Sequence, residues 1–272
     1  MKIGSREFDV ANRTYIMGIL NCTPDSFSDG GRYMEADSAL RQTEKMLVQG
    51  ADIIDVGGES TRPGYTPVSE QEEIERIVPV IEKIRERFEA VISVDTYKSR
   101  VAEAAIDAGA SLVNDIWGCK GDERMAEVIA DREVCCCLMH NRDVALHPYK
   151  KPLMEEILSD LRESIDIAVA AGVKQDKVIT DPGIGFAKTY EENLQALAEM
   201  ERLQELGYPV LLGTSRKSVI GLTLSLDKEQ RLEGTIATSV IGVMKGCAFI
   251  RVHDVLENKR AVQMAEAILR HR

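Results

Sequence analysis

The feature that most constrains the fold is a repeated alternation of short apolar runs with longer amphipathic segments. The apolar runs, each typical of a buried strand, are YIMGILN, ADIIDVGG, AVISVDT, SLVNDI, VCCCLMH, KVITDPG, PVLLGT and AFIRVH. In the segments between them, apolar residues recur at the period of one helix face. The alternation therefore predicts repeated βα units and a parallel sheet.

The number of these units predicts the architecture. Eight βα units fit within the 272 residues, and no Pro- or Gly-rich linker divides them. We therefore expect an α/β fold with one domain over residues 1–272, a single (β/α)8 TIM barrel; a doubly wound open sheet is the alternative. The opening residues MKIGSREFDV predict a short N-terminal strand or hairpin, and EENLQALAEMERLQELG predicts one long helix after the sixth strand.

Composition argues against several classes of partner. The formal net charge is −11, which disfavours nucleic acid and anionic membranes because both attract basic proteins. No apolar run approaches the roughly 18 residues of a spanning helix, and the polar start lacks the apolar core of a signal peptide. We therefore expect a cytoplasmic protein that does not bind a membrane.

The cysteines indicate packing rather than metal binding. None of the six forms a CxxC pair or has a histidine at zinc spacing, and three are consecutive in VCCCLM. Because a thiol packs as a small apolar side chain, this run predicts a buried strand. Reduced thiols also fit a cytoplasmic location.

Polar side chains stand at the C-terminal end of every predicted strand. Each has an ordinary explanation by itself, such as a turn, a helix cap or a hydrogen-bonded core residue. Together they indicate a site, because barrel active sites are built from the C-terminal strand ends and the loops that follow. The residues are Asn21, Asp55, Glu59, Asp95, Asn114, Asp115, His140, Asp181, Ser215, Lys217, Arg251 and His253.

The acidic and amide members of this set suit a heterocyclic ligand. Asp95, Asn114 and Asp181 offer carboxylates and an amide to a ring that presents both N–H donors and acceptors. Asp181, within DPGIGF, could accept two parallel hydrogen bonds from an amidine-like edge.

The basic members suit an anion. Lys217, Arg251 and His253 follow the last two strands, where barrels often bind phosphate. The sequence DVLE predicts a capping box with Asp254 as N-cap and Glu257 three residues on. Arg251 and His253 would then stand beside a helix N-terminus, which favours an anion.

Two loops carry unusual chemistry, NCTPDSFSDGG after the first strand and GGESTRPG after the second. Their glycines permit tight backbone turns, and Pro63 restricts Arg62 to extended conformations. Loops with glycine hinges that carry Asp25, Phe27 and Arg62 predict mobile lids over a charged substrate, with ordinary turns as the alternative.

Together, these segments resemble the dihydropteroate synthases of folate biosynthesis. The resemblance runs through NCTPDSFSDGG, IIDVGGESTRPG, ISVDTYKS, LVNDIWG, DPGIGFAKT, LLGTSRKS and RVHD, in that order and over nearly the whole chain. It implies a homodimeric barrel enzyme that condenses two small molecules, a pterin methyl diphosphate and 4-aminobenzoate, and releases pyrophosphate. An SN1-like path without a covalent enzyme intermediate follows from that chemistry.

The resemblance also implies roles for individual residues. Asn21 would ligate a Mg²⁺ ion that bridges the diphosphate oxygens, and Asp25, Arg62 and Lys217 would be catalytic. The residues implied for the pterin diphosphate are Thr61, Asp95, Asn114, Asp181, Lys217, Arg251 and His253. Those implied for 4-aminobenzoate are Thr61, Pro63, Phe186 and Ser218.

The chain departs from the family pattern at three places. Cys22 stands where a small β-branched residue is expected, and Ala187 stands where glycine is commoner. Neither change removes an implied ligand. The segment MHNRDVALHPY differs from the expected Met-His-Met type, so the resemblance leaves the roles of Met139 and His140 open.

Two other functions fit parts of the same pattern. A corrinoid-dependent methyltetrahydrofolate methyltransferase would share the pterin site but would have no use for a diphosphate site, so Arg251 and His253 count against it. A non-catalytic paralogue would be expected to lack Asn21, Arg62, Lys217 or Arg251, and all four are present.

Overall fold

The computed structural model describes residues 1–22, 32–59 and 67–271, with the backbone alone described at 32–36. A hairpin comes first, formed by β1 (Lys2–Ile3) and β2 (Arg6–Glu7). The eight strands that follow each lie inside one of the apolar runs. They are β3 (Tyr15–Asn21), β4 (Ile53–Gly57), β5 (Val91–Asp95), β6 (Leu112–Asp115), β7 (Cys135–Met139), β8 (Val178–Asp181), β9 (Leu211–Leu212) and β10 (Phe249–Val252).

These eight strands form a parallel barrel. Their order in the sheet is β8-β7-β6-β5-β4-β3-β10-β9, and every neighbouring pair is parallel. A parallel bridge between Thr180 and Val210 joins β8 to the residue before β9, which brings the two edges together. The predicted TIM barrel is confirmed, and the open doubly wound sheet is excluded.

Helices surround the barrel over the described ranges. They are α1 (Arg32–Val48), α2 (Glu70–Arg87), α3 (Ser99–Ala108), α4 (Met125–Asp131), α5 (Leu153–Ala170), α6 (Tyr190–Ala198), α7 (Ser218–Leu224), α8 (Leu232–Met244) and α9 (Val255–Leu269). Short 3-10 helices lie at Gln175–Lys177, Met200–Leu206 and Lys228–Gln230. Among the helices described, none combines the length and apolar character needed to cross a membrane.

The prediction of one long helix after the sixth barrel strand is wrong. Instead, α6 ends at Ala198 and a 3-10 helix follows. Lys245 Nζ donates to the Ala198 carbonyl at 2.6 Å, and the Arg202 amide bonds to the Glu199 carbonyl, a spacing of three residues. A side chain distant in sequence thus takes the carbonyl that the next helical turn would have used.

The pleat of the strands divides their apolar residues between two cores. Residues of one face pack under the helices, as Ile54, Val113 and Cys136 do. Residues of the other face fill the barrel interior; they include Met17, Ile53, Val91, Leu112, Cys135, Cys137, Ile179, Leu211 and Phe249. All of β7 is buried, which confirms the prediction for VCCCLM.

The predicted N-terminal hairpin is present, and it closes one end of the barrel. Ile3 and Phe8 belong to the interior core. The Phe8 ring packs edge-on against Tyr15 with centroids 4.8 Å apart, and its centroid lies 5.8 Å from that of Phe249. Apolar side chains therefore fill the end where the strands begin, and polar side chains gather where the strands finish.

Truncating Phe8 tests whether the hairpin stabilises the barrel. Because the ring is only 2% exposed, Phe8→Ala should lower the free energy of unfolding by about 3–5 kcal/mol, measured by urea denaturation. Leu146→Ala shortens a side chain that is 73% exposed and should change stability by less than about 0.5 kcal/mol. A similarly small change in Phe8→Ala would contradict the assignment.

Candidate active site

A guanidinium held by two carboxylates forms the floor of the barrel mouth. Arg251, on β10, donates from Nε to Asp55 Oδ2 and from an Nη to Asp95 Oδ2, both at 2.6 Å. The two aspartates lie on β4 and β5, on the far side of β3 in the sheet. All three side chains are largely buried, with exposures of 17% for Arg251, 0% for Asp55 and 6% for Asp95.

Asn114 extends this floor on β6. Its side-chain amide nitrogen lies 3.2 Å from Asp55 Oδ2 and 3.5 Å from Asp95 Oδ1. Asp55 Oδ1 is buried and has no hydrogen-bond partner among the residues that the structure describes. The floor therefore contains a carboxylate oxygen whose acceptor capacity the described residues leave unused.

Burial and charge act in opposite directions on these groups. Burial raises the pKa of Asp95, and the adjacent Arg251 charge opposes that increase. Burial disfavours the Arg251 charge, but Asp95 and Asp55 together raise its pKa above the ordinary value. Arg251 therefore remains a cation, and its two bonds to the floor use two of its five N–H donors.

A second acidic group stands across the mouth at the end of β8. Asp181 Oδ1 accepts a hydrogen bond from the Gly183 amide at 2.6 Å, and burial raises the pKa of the carboxyl. A Cβ placed on Gly213 would lie 3.9 Å from both Asp181 Oδ2 and Arg251 Cδ. A glycine thus leaves space between the two charged groups.

Lys217 and Phe186 form one wall beside Asp181. Lys217 Nζ donates to the Ile184 carbonyl and lies 4.6 Å from the centroid of the Phe186 ring, within the range of a cation–π contact. Burial lowers the pKa of Lys217 to about 8, while Asp181 favours its charged form.

His253 lies next to Arg251 but carries no charge near neutral pH. Burial and the nearby Arg251 lower its pKa to about 3. Its Nδ1 lies 3.0 Å from Ser215 Oγ, and its backbone amide donates to the same oxygen at 3.2 Å. His253 can therefore serve a ligand as a neutral hydrogen-bonding group.

The predicted capping box at DVLE is wrong. Asp254 is the N-cap of α9, but it makes no side-chain capping hydrogen bond. Its carboxylate instead binds the Arg216 guanidinium at 2.6 and 3.0 Å. The Asp254 carboxylate gains more from an ion pair with a guanidinium than from a hydrogen bond to a neutral backbone amide. The spacing of residues in the sequence does not reveal the distant Arg216 partner.

The remaining predicted residues divide by position. Asn21 is the last residue of β3 and is partly exposed, and Ser218 is the exposed first residue of α7. The four other predicted site residues lie outside the described residues, as does Phe27 of the first predicted lid. These four are Asp25, Thr61, Arg62 and Pro63.

Two of the polar residues at strand ends serve the structure around the mouth. Asp115 accepts hydrogen bonds from the amides of Trp117 and Cys119 at 2.8 and 2.6 Å, so it shapes the loop after β6. Glu59 binds the Lys98 ammonium at 2.6 Å. Asp115 and Glu59 therefore have structural roles, which is the ordinary explanation for a single polar residue at a strand end.

A buried network behind Asp181 was not assigned from sequence. His140, 1% exposed, lies with Nε2 3.1 Å from Asp160 Oδ2 and Nδ1 2.8 Å from Lys188 Nζ. Arg142 also binds Asp160, at 2.6 Å. Burial lowers the pKa of His140 to about 3 and that of Lys188 to about 7. Lys188 lies within the motif DPGIGFAKT. A lysine in a sequence is usually an exposed residue, so the sequence gives no signal that this one is buried.

Comparison with known sequences places this arrangement among pterin-binding proteins. The profile of a family described as pterin binding enzyme matches residues 17–253. A dihydropteroate synthase of Clostridium beijerinckii is 62% identical over 271 residues, which are 99% of this chain and 100% of that protein.

Solved structures show the same likeness. A Clostridium difficile dihydropteroate synthase, crystallised in the presence of pteroic acid, matches with a TM-score of 0.94 and 50% identity, covering 97% of this chain and 100% of that one. A Xanthomonas albilineans dihydropteroate synthase with 4-aminobenzoic acid matches with a TM-score of 0.90 and 40% identity, covering 95% and 94%. The similarity extends over nearly the whole length of each chain.

The buried imidazole of His140 predicts a pH-dependent stability. Its pKa falls from 6.5 to about 3 on folding, so the folded protein binds fewer protons than the unfolded chain between these values, and stability should rise with pH. Relative to His140→Gln, the wild-type free energy of unfolding should fall by about 1.4 kcal/mol per unit as pH drops from about 6.5 to about 5. Urea titrations at several pH values measure this difference; a difference independent of pH would show that the folded imidazole is not held neutral.

Proposed function

The chain belongs to the dihydropteroate synthase family of pterin-binding transferases, and we propose that it makes 7,8-dihydropteroate. The substrates are 6-hydroxymethyl-7,8-dihydropterin diphosphate and 4-aminobenzoate, and the second product is pyrophosphate. The observation that carries the proposal is the floor of Asp95 and Asn114 around the Arg251 cation, with Asp181 facing it across the mouth. This arrangement suits a polar heterocycle that bears a diphosphate.

The pterin would bind through atoms that the protein leaves available. Asp95 uses Oδ2 for Arg251, which leaves Oδ1 as an acceptor with only a long contact to Asn114. Asp181 uses Oδ1 for the Gly183 amide, which leaves Oδ2 for the N–H edge of the ring. The Asn114 amide nitrogen points to the floor, so its oxygen can accept from the ligand. Lys217 would complete the pterin contacts.

The diphosphate would bind at Arg251 and His253. Arg251 has three further N–H groups after its bonds to Asp55 and Asp95. His253, neutral near pH 7 because burial lowers its pKa to about 3, would donate a hydrogen bond rather than add a charge. Arg251 therefore supplies the cationic part of this pair.

The 4-aminobenzoate would bind against Phe186 and the start of α7. The Phe186 ring offers an apolar face beside Lys217, and Ser218 offers an exposed hydroxyl at the helix N-terminus. The Xanthomonas albilineans relative was solved with 4-aminobenzoic acid, which supports this second substrate. Thr61 and Pro63 would line the same side.

The proposed reaction replaces one bond to the pterin methylene by another. The C–O bond breaks and its electron pair leaves with the diphosphate. The amine nitrogen of 4-aminobenzoate then bonds to the methylene carbon and loses one proton. Asp95 and Asp181 favour the intervening cation electrostatically, and Asp25 and Arg62 would act at the reacting centre in line with the family resemblance.

Mg²⁺ is the proposed cofactor, with Asn21 as its protein ligand. Asn21 ends β3 at the mouth and offers a neutral oxygen of the kind that this ion accepts. Among the described residues, no group of three or more His, Cys, Asp or Glu side chains is placed to hold a metal. Asn21 would therefore share the ion with water and diphosphate oxygens, and the bound ion would polarise the leaving group.

We also propose a cytoplasmic homodimer. The helices α8 and α9 expose the apolar side chains of Ile241, Met244, Met264 and Ile268, which a second copy of the chain could cover. The six cysteines are buried thiols, as suits a reducing compartment.

Pyrophosphate release is the direct test of the proposed activity. With both substrates and Mg²⁺ the protein should release pyrophosphate and form dihydropteroate, and EDTA should abolish release until Mg²⁺ is restored. Asn21→Ala should raise the Mg²⁺ concentration needed for half-maximal release by at least about tenfold. No release with any divalent metal would refute the activity, and full release in EDTA would refute only the metal.

Asp181→Asn tests the pterin site. The amide retains the size of the carboxyl but loses the charge-assisted bonds to the pterin, so the dissociation constant for the free pterin should rise by about tenfold to a hundredfold. Calorimetric titration with the pterin alone measures this change. The matched control is Asp176→Asn, which alters a carboxylate on the 3-10 helix Gln175–Lys177 and should leave binding unchanged. Intact binding in Asp181→Asn would require a different pterin site.

A further inference from the structure

The ammonium of Lys188 is surrounded by three acceptors that match its three protons. Nζ lies 2.8 Å from His140 Nδ1, 3.0 Å from the Gly183 carbonyl and 3.1 Å from the Phe186 carbonyl. An ammonium has three donors and no acceptor, so the arrangement uses every proton of the group. Because Nδ1 of His140 accepts here, its Nε2 carries the proton and donates to Asp160.

The loop from β8 to α6 curves around this ammonium. Gly183, Gly185 and Ala187 all have positive φ, at 67°, 85° and 50°, and a Cβ on Gly183 would collide with the His140 carbonyl. Two of the loop carbonyls bond to Lys188. The loop is therefore closed on the buried Lys188 side chain as well as on its own amides.

Other contacts fix the two sides of the same loop. Tyr149 donates to the Ala187 carbonyl at 2.9 Å, Lys217 donates to the Ile184 carbonyl, and Asn193 accepts from the Gly185 amide at 2.6 Å. These groups come from different parts of the chain. Lys188 bonds to the carbonyls of both Gly183 and Phe186, and so reinforces the backbone hydrogen bond from the Phe186 amide to the Gly183 carbonyl at 3.1 Å.

We propose that Lys188 is a positioning residue that fixes the Phe186 ring and thereby sets the affinity for the second, aromatic substrate. This role rests on the proposed function, because it assigns Phe186 to the 4-aminobenzoate site. The hydrogen bonds of Lys188 go to His140, Gly183 and Phe186 rather than to the floor at Asp55, Asp95 and Arg251. Its loss should therefore affect one substrate selectively.

His140 and Asp160 hold Lys188 in place. Asp160 accepts from His140 at 3.1 Å and from Arg142 at 2.6 Å. The His140 ring is stacked with Tyr149, with centroids 6.3 Å apart. His140 therefore orients the Lys188 ammonium. Both ring nitrogens of His140 are used by Asp160 and Lys188, so neither is available to the pterin.

Lys188→Met removes the ammonium and keeps a side chain of similar length. The KM for 4-aminobenzoate should rise by about tenfold or more, while the KM for the pterin diphosphate and kcat change by less than about threefold, because misplacing a substrate wall mainly weakens binding there. Equal changes in all three constants would show a general structural role and overturn the proposal. No change in any of them would also overturn it.

Lys259→Met is the matched control. Lys259 Nζ binds Asp52 at 2.8 Å near the start of β4, at the end of the barrel opposite the mouth. Like Lys188→Met, this variant replaces a largely buried lysine that has a polar partner, here the Asp52 carboxylate. It should leave all three kinetic constants within about twofold of wild type.

Amide hydrogen exchange tests the positioning role without turnover. In Lys188→Met the amides of Gly185 and Phe186 should exchange at least about tenfold faster than in wild type, while amides of β4 and β5 keep their rates. Unchanged exchange in the loop would overturn the proposal. If the wild type released no pyrophosphate but the loop amides still responded, the proposed function would fail and the positioning role would stand.

A double variant tests whether Lys188 acts through Phe186. Phe186→Leu alone should raise the KM for 4-aminobenzoate, and adding Lys188→Met should raise it by less than about twofold more, because both changes remove the same wall. Multiplied effects in the double variant would show that Lys188 acts by another route and would overturn the proposal.

Discussion

The interaction on which the rest of the site depends is the contact of Arg251 with Asp55 and Asp95. A guanidinium and two carboxylates in the barrel interior are costly to desolvate, and their mutual contacts at 2.6 Å, with the Asn114 amide beside them, offset that cost. Removal of Arg251 would leave two buried carboxylates without their cation, and removal of either aspartate would leave one edge of the guanidinium without its partner. The three residues therefore constrain one another and set the position of the cation at the mouth.

The apolar half of the barrel makes this polar half possible. Ile3, Phe8 and Phe249 pack together at the end where the strands begin and fill it with apolar side chains. The strands then alternate between the helix-facing core and the interior, and their last inward residues form the mouth. Polar groups at the mouth can therefore complete their hydrogen bonds with water or with a ligand that enters from that side.

Much of the fold was predictable because it follows from local patterns. Each apolar run contained one barrel strand, and the position of Asp95, Asn114 and Asp181 at strand ends sufficed to place them together. Contacts between distant residues were not predictable in the same way. Lys245 ends α6 early, and Arg216 takes the carboxylate that spacing had assigned to a cap. Lys188 was not singled out from sequence, because its three acceptors come together only in the folded loop.

We propose that the floor holds Arg251 where its remaining donors meet a diphosphate. Calorimetric titration of wild type and Arg251→Lys with the pterin and with its diphosphate compares the two ligands directly. A lysine keeps the charge between Asp55 and Asp95 but cannot bond to both carboxylates and a phosphate in the same fixed geometry. In Arg251→Lys, affinity for the diphosphate should fall by at least about tenfold and affinity for the free pterin by less than about threefold. Equal losses for the two ligands would contradict the proposal.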